Sequence, residues 1–322
     1  MMKKFFLLIT ILLIVSCKKE TKKEVDVSAI PVSFKVERFD QKFYTVKPEN
    51  LSKLKAEYPF LFPEMYADTV WTNKLNDPLS RELYNEVQKK YASLDKLEPQ
   101  IEDLLKHVKY YFPEKRIPRV ITVITEVDVD AKSIFVDDFL FISLDCYLGE
   151  SHPFYETFPE YKRIEFKESQ ILPDIVSSFS YGKIASPKNR TLLSLMIYKG
   201  KELYMKDLLI PDVSDFDKIA YTEDKFKWCQ ENEAEIWSNF IENKLLYDSN
   251  PKNEQRFMND APFSKFYLEI DNESPGRIGA WMGWQIVRSY AENHPDVKLQ
   301  DILAMDAKKL FEESKYKPKK YF

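Results

Sequence analysis

Glycine is scarce in this chain, with six in 322 residues. No glycine-rich phosphate loop and no Gly-x-Ser-x-Gly nucleophile elbow is present. Histidine is rarer still. His107, His152 and His294 are scattered, and no two stand at the spacing that lets one metal ion take both. Cysteine also numbers three. Beyond Cys17, an oxidising compartment permits a disulfide between Cys146 and Cys229, and two buried free thiols suit the sequence equally. A basic excess is missing. Against 48 Lys and Arg stand 52 Asp and Glu, for a net charge of -4. Phosphate binding needs a basic face, so nucleic acid is not an expected partner. No internal repeat or low-complexity block appears. The apolar run at 5–15 is too short to cross a bilayer, which takes about 20 residues.

What is present begins with that run. It follows Lys3 and Lys4 and ends at Ile14-Val15-Ser16-Cys17. A positive start, a short apolar core and a small residue before cysteine read as a signal peptide. The ending resembles a bacterial lipobox, in which the cysteine is acylated and becomes the first mature residue. The expected organisation is a signal peptide at 1–16, a lipidated Cys17 with a polar tether to residue 30, and a single globular domain over 31–322. Two or three acyl chains hold a protein on a membrane far more firmly than one. In the tether Lys18, Lys19, Lys22 and Lys23 alternate with Glu20, Glu24 and Asp26, without periodicity, as a solvated spacer does. Lys18 is not the aspartate associated with inner-membrane retention, and no acidic run follows Cys17. The expected location is the periplasmic face of the outer membrane.

With 44% apolar and 15% aromatic residues, a sizeable core can form. Alternation over 32–39 predicts a half-buried strand, and 48–57 a short helix. Residues 78–111 read as two helices broken around Ser93-Leu94-Asp95, and Pro113 and Pro118 end the second. Strands follow at 120–125, 133–136 and 139–144, with a tight hairpin at Asp137-Asp138. Helices are expected at 164–181, 190–205, 223–247, 277–292 and 299–314, with Thr222 capping the third of these. The acidic cluster 231–235 reads as a solvated face, and Trp228 and Trp237 as core. Helices, a small antiparallel-type sheet, then a mostly helical C-terminal half make a helix-dominated α+β fold.

Two resemblances rest on particular residues. Ser169-Gln170-Ile171-Leu172-Pro173-Asp174-Ile175-Val176-Ser177-Ser178, followed by the helix from Arg190-Thr191-Leu192-Leu193 to Lys199-Gly200-Lys201-Glu202, resembles predicted zinc peptidases of the gluzincin type. In those, a helix bearing His-Glu-x-x-His places two imidazoles one turn apart on one face. Carried onto this chain, the first histidine falls on Pro173, the glutamate on Asp174, the second histidine on Ser177 and the third ligand on Lys199. The resemblance implies a zincin-like fold. With the zinc ligands replaced, it also implies a degenerate site without peptidase activity, holding no metal and no cofactor.

The second resemblance covers nearly the whole chain. The lipobox, the lysine-rich tether, Val36-Glu37-Arg38-Phe39-Asp40, the segment from Tyr221 through Trp228 to Trp237, and the string Ser274-Pro275-Gly276-Arg277-Ile278-Gly279-Ala280-Trp281-Met282-Gly283-Trp284 resemble the gliding-motility lipoprotein family GldB. That implies a lipoprotein of gliding bacteroidetes, linked to the secretion machinery that works with gliding, with no catalytic residues to transfer. The string also has its own physics. Glycine inside a helix costs about 1 kcal/mol against alanine, and Gly279 and Gly283 stand i, i+4, a flat stripe that another backbone can approach. Arg277, Trp281, Trp284 and Arg288 are candidate interaction residues of the kind enriched at interfaces. The same helix equally suits a tightly packed interior.

The expected function is therefore a membrane-anchored, non-enzymatic scaffold or accessory factor of the gliding machinery, with envelope protein partners. One alternative is a hydrolase that uses Asp174. Another is a module that binds a peptide or glycan in a cleft beside Asp174, Lys199 and Trp281 without cutting it.

Overall fold

The computed structural model describes residues 25–319. The signal peptide, Cys17 and most of the tether lie outside the described residues. Among the described residues four strands, β1 (Val36–Arg38), β2 (Arg119–Val123), β3 (Ser133–Val136) and β4 (Phe139–Ser143), make one sheet in the order β1-β2-β4-β3. The helices before β2 are α1 (Phe39–Thr45), α2 (Leu51–Glu57), α3 (Asp68–Asn76), α4 (Pro78–Lys90) and α5 (Leu97–Tyr111). After β4 come α6 (Glu160–Arg163), α7 (Ile171–Ser180), α8 (Leu192–Leu209), α9 (Asp215–Lys218), α10 (Glu223–Glu231), α11 (Glu233–Glu242), α12 (Pro251–Phe257), α13 (Ile278–Asn293), α14 (Leu299–Ala304) and α15 (Ala307–Ser314). The architecture is helix-dominated α+β.

The sheet corrects the antiparallel expectation. β1 runs parallel to β2 and β2 parallel to β4, and only the β3–β4 hairpin is antiparallel. The helices between β1 and β2 carry the chain back so that both strands point the same way. β3 takes the far edge, and its hairpin returns β4 to the centre. β2 is buried along nearly its whole length, as a central parallel strand should be. The hairpin turns at Asp137-Asp138 as expected, with Asp137 at φ 46°, a left-handed geometry that Asp tolerates. The first strand is shorter than its alternation suggests, only Val36–Arg38. Its tip is tied down by charge: Arg119 grips Glu37 through two hydrogen bonds of 2.8 Å, and Arg38 forks onto the buried Asp40.

Local signals place most helix ends. Pro78 follows the Asp77 cap, Thr191 and Thr222 cap α8 and α10, and Pro113 stands just past α5. Three expected helices are shorter or divided. The 164–181 helix is regular only over α7, after two 3-10 turns. The 223–247 helix breaks at Asn232, and the 299–314 helix breaks at Met305-Asp306, where Asp306 caps the next piece. The acidic cluster is not all solvated either. Glu233 is buried, and its carboxylate accepts the Tyr316 hydroxyl at 2.7 Å. Cys146 and Cys229 are buried free thiols.

The interior is organised around α8 and α13, which cross at a backbone-to-backbone approach. Gly200 of α8 faces Gly283 of α13, and a Cβ on Gly283 would stand 1.9 Å from the Met196 carbonyl oxygen. The glycine stripe thus packs inside the protein. Among the described residues no helix is long and apolar enough to cross a membrane.

Candidate functional site

α8 is apolar and buried along most of its length, yet it carries Lys199, Glu202 and Lys206 at spacings of three and four. Those spacings bring all three to one face of the helix. α7 supplies Asp174 and Ser177. Pro173 before them sits in the first helical turn, where no intrahelical N–H is required, and is buried. Ser177 donates to Glu202 at 2.8 Å, and Lys199 reaches the same carboxylate at 3.0 Å. The loops at Ile219-Ala220 and Met258-Asn259-Asp260 close the sides, and Arg277 closes the end nearest α13. Together they enclose a cleft of about 510 Å³.

Arg277 stands in the left-handed region at φ 57°, which a non-glycine residue seldom adopts. The preceding backbone leaves it little choice. Gly276 lies so close to Ala261 that a Cβ would sit 2.1 Å from its carbonyl oxygen, and Tyr221 donates to the Gly276 carbonyl at 2.5 Å. The guanidinium is thereby aimed at Asp260 (3.0 Å) and at the Ile219 carbonyl (3.0 Å). Strain held at a ligand-sized cleft is a pointer to use.

The cleft's carboxylates are all engaged. The Lys132 ammonium lies 3.0 Å from both Asp174 and Glu165, and Tyr147 donates to Asp174 at 2.9 Å. Lys162 bridges Glu165 and Asp260. Burial works against ionisation of Glu165, but Lys132, Arg277 and Lys162 outweigh it and hold the carboxyl below its ordinary range. Glu202 follows the same pattern: burial opposes its charge, and Lys199, Lys206 and Ser177 overcome the opposition. Lys206 is the exception. It is 6% exposed, it donates to the Lys218 carbonyl at 2.8 Å, and among the described residues it makes no ion pair. Burial lowers its pKa despite the pull of Glu202 and Asp174.

The sequence-predicted residues divide. Asp174, Ser177 and Lys199 come together in the cleft, with Lys199 at the rim and its side chain 50% exposed. Arg277 joins them. Trp281 and Trp284 do not, being 1% and 0% exposed within the core. Arg288 stacks on Trp284 at 3.7 Å and is locked to Asp207 and Asp215, so it serves α13 packing. Neither tryptophan forms a surface anchor. Lys132, Glu165, Glu202, Lys206 and Asp260 escaped sequence reasoning. For Glu202 and Lys206 a signal existed, namely charges at helical spacing on an otherwise apolar helix. Lys132, Glu165 and Asp260 come from separate loops and turns and carry no such mark. Among the described residues no three His, Cys, Asp or Glu side chains are grouped to hold a metal ion.

A second lobe of about 550 Å³ adjoins the first, sharing Glu165, Ala220, Asp260 and Arg277. Tyr161, Ile164, Pro262 and Pro275 give it more apolar walls.

These features define a helix-dominated α+β protein whose polar cleft is ion-paired from within. The chain belongs to the family described as gliding motility protein GldB, which it matches over residues 20–318. Membership carries a role in gliding motility. No curated protein and no solved structure matches the chain.

Proposed function

We propose that this chain is a non-enzymatic accessory or scaffold factor of the gliding and secretion machinery, anchored by an acylated Cys17 at the periplasmic face of the outer membrane. It holds a ligand in its cleft without cutting it. The observation that carries this reading is the pairing of every carboxylate that lines the first lobe with a cation. Asp174 and Glu165 share Lys132, Glu202 takes Lys199, and Asp260 takes Arg277. A general base has to accept a proton near the working pH, and the cations beside Glu165, Glu202 and Asp260 hold those carboxyls below their ordinary range. The gluzincin resemblance fits a degenerate site. Asp174 and Ser177 face the α8 charges across the cleft, and amines stand among the carboxylates where a peptidase of that type would hold zinc. The binding alternative draws its support from the cleft itself, two lobes each within the roughly 300–1,000 Å³ that suits a small ligand.

The test uses the full-length lipoprotein purified in detergent. The expected result is no chelator-sensitive peptide hydrolysis and no stoichiometric zinc, with Cys17→Ala protein lost from the membrane fraction. Zinc at one per chain, or hydrolysis abolished by Asp174→Asn, refutes the non-enzymatic reading. Cys17→Ala protein that stays in the membrane refutes the anchor.

A further inference from the structure

Among the described residues Lys206 is the cation of the first lobe that makes no ion pair. Its neighbours pair off: Lys132 with Asp174 and Glu165, Lys162 with Glu165 and Asp260, Lys199 with Glu202, Arg277 with Asp260. Lys218, whose carbonyl takes one Lys206 hydrogen, spends its own amine on Asp207 and Asp215. Five cations, Lys132, Lys162, Lys199, Lys206 and Arg277, thus meet four carboxylates, Glu165, Asp174, Glu202 and Asp260. An ammonium has three donors, and among the described residues only one of those on Lys206 has a protein partner. Arg277 uses Nε and Nη2 on Asp260 and the Ile219 and Ala220 carbonyls, and its Nη1 has no protein partner among the described residues. Burying an ammonium without a counter-charge is costly.

The geometry points to a receptor site for one carboxylate, held by Lys206 and Arg277, of the kind that ends an extended peptide whose last side chains occupy the second lobe. This rests on the reading that the cleft binds without cutting. The surplus of one positive charge calls for a monoanion. A phosphate dianion would overshoot it beside Glu202 and Asp174. Burial keeps the Lys206 amine below the ordinary lysine range, with Lys199 and Arg277 pushing the same way, and an arriving carboxylate relieves all three. The second lobe explains why the charge sits at the ligand's end. Its walls include Tyr161, Ile164, Pro262 and Pro275, and its charged lining sets Glu150, Glu160, Glu165 and Asp260 against Arg163, Lys225 and Arg277. A lining of both signs offers no row of cations to a polymer charged on every unit, such as a polyuronate, and accepts an uncharged chain with apolar side groups.

The experiment is fluorescence anisotropy on the full-length lipoprotein in detergent. The probe is an N-terminally labelled Gly-Leu-Phe-Ala with a free C-terminus. The comparisons are the same peptide as its C-terminal amide, inorganic phosphate, and polygalacturonate as competitor. Expected results are saturable binding of the acid, at least tenfold weaker binding of the amide, and no displacement by either competitor at equal concentration. Lys206→Met should weaken binding of the acid at least tenfold and leave the amide unchanged. Equal binding of acid and amide, displacement by phosphate or polygalacturonate, or no binding of the acid each overturn the inference. The acid-against-amide comparison needs no variant, so a Lys206→Met protein that misfolds leaves the test intact. Mass spectrometry of the bound peptide separates the two readings. Cleaved peptide with acid preference kept sinks only the non-enzymatic reading, and intact peptide without acid preference sinks only the carboxylate site.

Discussion

Replacing Gly283 by alanine adds one methyl group at the point where α8 and α13 touch. The methyl would stand 1.9 Å from the Met196 carbonyl oxygen and 2.3 Å from its carbonyl carbon. Ordinary contact lies at roughly 3.5 Å, so the helices must part by about 1.5 Å. Both obstacles are backbone atoms, so no side chain can swing aside. Trp281 and Trp284 are packed on the same helix and resist a rotation. Overpacking of this kind costs about 1–3 kcal/mol and sometimes more, while alanine returns about 1 kcal/mol of helix propensity. The parted helices also lose dispersion along their length, since a gap of 0.5–1 Å forfeits roughly a quarter to a half of each contact. At the upper end of that range, with the dispersion loss added, the net cost is about 3 kcal/mol, which at about 2 cal/mol/K per residue lowers Tm by roughly 5 °C. Gly182→Ala is the control. Gly182 has φ +74° with no atom within 4 Å of the added carbon, so it carries backbone strain alone, about 1–2 kcal/mol. Thermal denaturation of wild type and both variants decides the matter. A Gly283→Ala protein that melts within about 2 °C of wild type, or above the Gly182→Ala protein, refutes the close crossing.

Two further expectations concern buried charge. Lys132→Met leaves Asp174 and Glu165 facing each other without the ammonium between them. Breaking such a pair costs about 3–5 kcal/mol, read as a lower urea midpoint, and a midpoint unchanged from wild type would show the pair to be idle. Asp145 is fully buried and accepts the N–H groups of Thr125 and Val127, pinning a loop where Glu126 and Val127 both have positive φ. Burial raises its pKa from 3.8 to about 6, against the backbone donors. The folded state therefore binds the proton more tightly than the unfolded chain does. The contribution of Asp145 is most favourable below 3.8 and is lost as pH rises through about 6. Each pH unit that separates the folded value from the unfolded one is worth about 1.36 kcal/mol, so the wild type should lose about 3 kcal/mol relative to Asp145→Asn between roughly pH 4 and 7. A difference between the two urea stabilities that stays flat over that window contradicts the assignment.

Much of the fold is legible in the sequence because its signals are local. The cap at Thr222, the proline that follows α5 and the Asp137-Asp138 turn all act within a few residues, and each marks a boundary that the chain adopts. Divided helices are harder to see. Asn232 and Asp306 interrupt patterns whose apolar spacing continues on either side. Of the cleft, Asp174, Ser177, Lys199 and Arg277 stand out through two resemblances. Lys132 sits just before the hairpin and looks like any surface lysine until its partners are known.

The longer helices, the family and the expectation of a lipidated Cys17 are read from the sequence alone, because each depends on residue types at short, definite spacings, whereas α1, α3 and α12 are too short to announce themselves. Tertiary structure decided the rest. It made β1, β2 and β4 parallel, turned the glycine stripe inward, buried Trp281, Trp284 and Glu233, and left Lys206 without an ion pair among the described residues. These outcomes join residues tens to hundreds of positions apart. Strand direction depends on how the intervening helices return the chain, and the state of a buried charge depends on which distant carboxylate comes within reach.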